Sequence, residues 1–205
     1  MVHGRSRHAE SQNELKAFQI LMVTAGADSW QEQPFTLEYR HAALKRRYTP
    51  DALVVWGAYK VVVEIKEDKD AESPEAQATF SVIKERLAEH GFHFRVWKSS
   101  EIRAEPRLAN VNLILRYRCI AVPPREKESL LRALASTPEI ELRSLCEVTK
   151  VSAPSVLRLV MDGTVHLDWW KPVCMGSMIG LAPVGRQEWP AHSFAASLAE
   201  EIRCH

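Results

Sequence analysis

The apolar positions switch period along the chain, and the switches mark the elements. Leu15, Phe18, Leu21 and Met22 recur at helical spacing, predicting a helix over about Ser11 to Ala25 that Gly26 stops. Phe35, Leu37 and Tyr39 alternate, as a strand over Phe35 to Arg40 would. Tyr48 to Lys66 reads YTPDALVVWGAYKVVVEIK, two strands rich in Val, Trp and Tyr that meet at Gly57-Ala58. Phe80, Ile83 and Leu87 again keep helical spacing, behind a Ser73 cap and Pro74 at the first helical position. That helix reaches about His90, and Gly91 ends it. Phe92 to Trp97 predicts a strand, and Pro106 to Arg118 a helix with Leu108, Val111 and Leu115 on one side. The fold class is α/β, a mixed sheet flanked by helices. The valine-rich strands, apolar on both faces, suit its centre.

The pattern changes past the proline-stiffened stretch AVPPRE, Ala121 to Glu126. Ser129 to Ala135, Glu139 to Glu147 and Ser152 to Met161 predict three short helices, and Thr164 to Trp170 a strand. Three helices followed by a β element form a small winged-helix-like α domain. Two domains result, 1–121 and 122–205. The second ends in a loop and a short helix with Phe194, Leu198 and Ile202 on one side. In the winged-helix reading Lys150, Ser152, Ser155, Arg158 and Lys171 are candidate DNA contacts. The helix that carries them is weakly basic, and a three-helix domain used for protein docking reads equally well.

Composition narrows the function classes. The formal net charge of 205 residues is +1, so any nucleic-acid contact must come from a local patch. Cys119, Cys146, Cys174 and Cys204 are far apart and form no C-x-x-C, which indicates neither a zinc site nor a disulfide framework. Reduced thiols in a cytosol are the simple reading. MVHGRSRH lacks the apolar segment of a signal peptide, and no apolar run is long enough to span a membrane. The expected location is cytoplasmic.

The chemistry concentrates in the hairpin. A two-residue turn at Gly57-Ala58 pairs Trp56 with Tyr59 and sets Asp51 opposite Glu64. Lys66, two residues on, shares the face of Glu64. Opposed carboxylates cost a strand pair a few tenths to ~1 kcal/mol, and more in an apolar sheet. A divalent cation between them removes that cost. Oxygen ligands of this kind suit Mg²⁺, with Mn²⁺ as a substitute, and the ion takes its remaining ligands from water and phosphate. Beside a lysine, this arrangement can hydrolyse a phosphodiester. Arg40, Lys45, Arg46 and Arg47, just upstream, can reach flanking phosphates, or form a solvated hairpin. Gln77 can touch the phosphate or the attacking water, or simply be an exposed polar position. Ser11-Gln-Asn-Glu14 fits a capping box, and spacing alone assigns Glu14 to that cap. Trp169-Trp170 can stack on bases or pack the wing against the helices.

The succession S-x-x-E (Ser11 to Glu14), EQPF (Glu32 to Phe35), YTPD (Tyr48 to Asp51) and EIK (Glu64 to Lys66) resembles TnsA-type transposon endonucleases. So do Phe94-Arg95-Val96-Trp97, Glu101-Ile102 and Asn110 further on. The likeness covers about Ser11 to Arg118, with weaker motifs beyond. It implies a nuclease of restriction-endonuclease-like fold in which Asp51 and Glu64 hold Mg²⁺. Lys66 would orient the attacking water or steady the charge on the phosphate. Glu14 would be a further acid from the first helix, which reverses the reading from spacing. Some members of the family carry Gln where this chain has Glu64. The resemblance also implies DNA as substrate, a transposase subunit and an ATP-dependent regulator as partners, and is compatible with a homodimer. A catalytically silent DNA-binding or scaffold protein, a free-standing nuclease and a regulator acting through the winged helix alone are the alternatives.

Overall fold

The computed structural model describes residues 12–23, 29–41, 44–56 and 59–181. In chain order its elements are α1 (Gln12–Met22), β1 (Ser29–Glu32), β2 (Leu37–His41), β3 (Leu44–Tyr48), β4 (Ala52–Trp56), β5 (Tyr59–Lys66), α2 (Asp68–Ala71), α3 (Pro74–Ala88), β6 (His93–Lys98) and α4 (Ser99–Ile102). They continue with α5 (Arg107–Leu115), α6 (Pro124–Ser136), β7 (Glu139–Glu141), α7 (Leu142–Thr149), α8 (Ala153–Met161), β8 (Val165–His166) and β9 (Met178–Leu181). Ser11, Gly26, the Gly57-Ala58 turn and the C-terminal helix expected around Phe194 to Ile202 lie outside the described residues. Two compact units form. One takes residues 12–18 and 29–103, the other residues 19–23 and 104–181.

The first unit is built on a mixed four-stranded sheet in the order β1-β4-β5-β6. β4 pairs antiparallel with β1 and with β5, while β5 and β6 run parallel. A parallel pair needs a crossover, and α3 supplies it. The sequence expectation of a mixed sheet with helices holds. β5 is the strand buried on both faces: every residue from Val61 to Ile65 is buried. That is why its valines do not alternate with polar residues. α3 starts as its cap predicts, the Ser73 hydroxyl accepting the N–H of Ala76 at 3.2 Å. Phe80, Ile83 and Leu87 face inward and meet Val62 and Phe94 in one apolar cluster. At Gly91 the backbone turns with φ +75°, a conformation that suits glycine.

The described basic residues of RHAALKRRY fall on two strands, Arg40 on β2 and Lys45, Arg46 and Arg47 on β3, which pair as a separate antiparallel ribbon. Leu37, Tyr39 and Tyr48 of that ribbon pack on the Val62–Phe80 cluster. β1, which the pattern did not predict, is a short strand with a single large apolar residue, Trp30, stacked on Phe18 at 5.2 Å between ring centroids.

The second unit contains a three-stranded sheet, β7-β9-β8, with β9 antiparallel to both neighbours. The helix expected from Glu139 begins instead as strand β7 and turns helical at Leu142. The strand expected over Thr164 to Trp170 is regular only at Val165–His166. Pro124 opens α6, so the second of the two linker prolines serves as the first residue of a helix. The side chain of Asn110 on α5 holds the segment after β8. Its amide donates to the carbonyls of Trp169 (2.9 Å) and Lys171 (2.8 Å), and its oxygen accepts the N–H of Val173 at 3.0 Å. The buried Arg107 guanidinium lies over the Trp170 ring, 5.3 Å from its centroid.

Candidate active site

The β4–β5 register places the site. Trp56 opposes Tyr59, Val54 opposes Val61 and Ala52 opposes Val63. Continued by one residue, the same register sets Asp51 opposite Glu64. Asp51 precedes the first paired residue of β4, and a side-chain bond keeps it in place. Its Oδ2 accepts the backbone N–H of Ile65 at 2.6 Å. Glu64 is buried, 6% exposed, between Val63 and Ile65 of β5. Lys66 Nζ lies 2.7 Å from Glu64 Oε1. Glu64 and Lys66 share a face with Val62 by strand alternation. The site therefore lies on the side of the sheet that packs against α3 and the ribbon.

The electrostatics are those of a buried acid beside a second acid and a lysine. Burial, and after it the charge of Glu64, pushes the Asp51 carboxyl up to about 7. The Ile65 N–H and Lys66 pull the other way without prevailing. Burial works against the Lys66 ammonium. The hydrogen bond and charge of Glu64, with Asp51 and Glu14 behind them, outweigh it and raise the lysine above its ordinary value. Glu14, on α1, thus acts electrostatically on both Asp51 and Lys66.

The cluster contains two side-chain contributions that sequence patterns did not single out. The Tyr48 hydroxyl donates to Glu64 Oε2 at 2.8 Å. Buried Asn13 fixes the start of α1 beside Glu14: its amide donates to Glu67 Oε1 at 2.7 Å and its oxygen accepts from Arg103 Nε at 2.9 Å. Arg103 closes the triangle with Glu67 at 2.9 Å. Tyr48 stands inside the quoted YTPD motif, so its proximity to Asp51 was readable. Its bond to Glu64 was not, since it crosses from the ribbon to the sheet.

The remaining candidates separate. Strand alternation puts Arg40, Lys45 and Arg47 with Glu38 on one face of the ribbon, while Arg46 lies on the other with Tyr39. Lys45 pairs with Glu38 at 2.7 Å, and Arg47 lies 3.8 Å from the same carboxylate. Gln77 is exposed at the start of α3, where its amide donates to the carbonyl of Ala71 at 2.5 Å. In the second unit Lys150 is exposed and caps α7 in a left-handed conformation, φ 58°. Ser155 is buried, its hydroxyl 3.0 Å from that of Ser152. Arg158 is tied to Asp162 one turn on.

The donor set fits a hard divalent cation. Its acids offer carboxylate oxygens, and Glu64 adds its charge to the burial that already raises Asp51, a crowding that a bound cation would relieve. Among the described residues no three His, Cys, Asp or Glu side chains form a ready cage. Mg²⁺ does not need one, because it takes one or two carboxylates and keeps water and phosphate in its other positions.

Residues 27–99 match the sequence profile of a family described as TnsA-like endonuclease N terminal. The family resemblance drawn from the motifs holds over that stretch. The match takes in the ribbon, Asp51, Glu64 and Lys66, and stops before the second unit. Glu14 falls outside it. No curated protein matches the chain. Among the described residues no helix is long and apolar enough to cross a membrane.

Proposed function

We propose that this chain is a Mg²⁺-dependent DNA endonuclease that hydrolyses a phosphodiester at Asp51, Glu64 and Lys66. One observation carries the reading. Two acids and a lysine from adjacent strands meet on one patch, within a stretch that matches an endonuclease family. Asp51 and Glu64, with Glu14 from α1, are the residues that would hold the ion. When bound, the ion supplies Lewis-acid activation and offsets phosphate charge. Lys66 turns its ammonium toward the scissile phosphate or the attacking water and stabilises the charge that develops there. In the free protein that ammonium rests on Glu64. The Arg40, Lys45 and Arg47 face of the ribbon, which is turned away from the sheet, binds DNA backbone beyond the cut.

The second unit reads as a winged helix. The succession helix, strand, helix, helix, strand, strand from α6 to β9, closed into a three-stranded sheet, supports this. α8 is then the recognition helix. Five of its residues (Ser155, Val156, Leu157, Leu159 and Val160) are buried, so DNA would meet its capped N-terminal end near Lys150 and Ser152. By family likeness the chain is the donor-cleaving subunit of a heteromeric transposase, working with a transposase that joins the other strand and with an ATP-dependent regulator.

The Lys66–Glu64 pair favours one other reading, a catalytically silent DNA-binding scaffold in which the lysine only neutralises a buried acid. Incubating the purified chain with supercoiled plasmid in Mg²⁺ or in EDTA separates the two. Conversion to nicked or linear DNA in Mg²⁺ alone supports the nuclease, and no conversion in either buffer supports the scaffold.

A further inference from the structure

We infer that Tyr48 is a positioning residue for Glu64, holding its carboxylate in the orientation that meets a divalent cation together with Asp51. The inference rests on the nuclease reading above and adds to it a residue outside the acid–lysine set. Tyr48 belongs to the ribbon, not to the sheet that bears Asp51 and Glu64. Tyr48 packs against the Val62–Phe80 cluster, and its ring meets the Phe94 ring edge-on at 6.3 Å and 79°. From that packed position the hydroxyl reaches Glu64 Oε2.

The chemistry of that contact is one-way. The phenol carries the proton and the carboxylate oxygen accepts it, so the Tyr48 hydroxyl is the donor of this bond. Lys66 holds Oε1 and Tyr48 holds Oε2, so rotation of the carboxylate about its terminal bond is blocked at both oxygens. A carboxylate has about four acceptor positions. Two remain for a cation. Without Tyr48 the carboxylate can turn toward Lys66 and exchange its oxygens. Partners of this kind typically alter metal affinity or activity 10–100-fold, roughly, when removed.

The test is Mn²⁺ binding to the full chain without DNA, followed by electron paramagnetic resonance and so independent of cleavage. Tyr48→Phe keeps the ring and its packing on Phe94, and circular dichroism checks that the fold is kept. The expected result is an affinity for Mn²⁺ weaker by about 10–100-fold. Adding Tyr48→Phe to Glu64→Gln should change the affinity by less than about twofold, because the acid that Tyr48 aims is already gone. A general loosening of the fold would weaken both backgrounds alike and would overturn the inference. Wild-type Mn²⁺ affinity in Tyr48→Phe, with a wild type that cleaves DNA, overturns it and leaves the nuclease standing. A wild type that binds no Mn²⁺ and cleaves nothing overturns both.

Discussion

The carboxylate of Asp51 accepts the amide proton of Ile65 at 2.6 Å. Ile65 lies between Glu64 and Lys66, so this bond ties the acid that precedes β4 to the strand that carries the other two groups. The opposed acids are thereby held close in spite of their repulsion. The Tyr48 hydroxyl and the Lys66 ammonium each hold one oxygen of Glu64.

Burial of Asp51, with the charge of Glu64 behind it, has a pH signature. The folded Asp51 carboxyl titrates near 7, above its ordinary value of 3.8. Between those values the folded chain keeps a proton that the unfolded chain has released. The contribution to stability is full below the lower value and is lost as pH rises through the higher one. The melting temperature of the metal-free protein should therefore fall between about pH 4 and 7 on this account, and Asp51→Asn should flatten the fall. A wild-type curve that rises over that window would contradict the assignment. Mg²⁺ should raise the melting temperature more at the alkaline end, where Asp51 is ionised.

The two faces of the β2–β3 ribbon should behave differently toward DNA. Arg40, Lys45 and Arg47 share a face, and Arg46 lies opposite. Neutralising Arg40 or Arg47 should weaken binding to any sequence and reduce the slope of log affinity against log salt by about 0.9 for each phosphate no longer neutralised. Arg46→Ala should leave the slope unchanged. Fluorescence anisotropy over a salt series measures both, and an equal loss for all three residues would show that the ribbon does not present one face.

Asn110 makes three hydrogen bonds to the main chain between Trp169 and Val173. Asn110→Ala strands the buried carbonyl of Trp169 and takes the partner from the part-buried carbonyl of Lys171 and N–H of Val173. The expected loss of stability is on the order of 3 kcal/mol, read from urea unfolding. A loss below about 0.5 kcal/mol, the usual range for a surface change, would mean that the segment has other support.

The sequence carried the parts of this fold that repeat locally. β5 announced itself by valines on both faces, α3 by its cap and apolar spacing, and the turn position alone gave the register from Trp56–Tyr59 to Ala52–Val63 that leads to Asp51 and Glu64. What stayed hidden lacks a local period. β7 is three residues, two of them acidic, and β9 is a four-residue strand whose partners lie far away in the chain. The Tyr48–Glu64 bond joins a ribbon to a sheet, and the Asn13–Glu67–Arg103 triangle spans most of the first unit. Bonds between non-adjacent elements leave no mark in spacing. The placement of Ser155 inside α8 was a related miss, since a serine on a helix says nothing about which face is covered.

The most direct measurement is plasmid nicking by wild type, Asp51→Ala and Lys66→Ala side by side in Mg²⁺, with DNA affinity and thermal unfolding measured on the same preparations. The account predicts that wild type nicks, and that both variants fold and bind DNA nearly as wild type yet cleave nothing. Either variant nicking at the wild-type rate would contradict it, and the patch at the end of the hairpin would then be an ordinary buried ion pair.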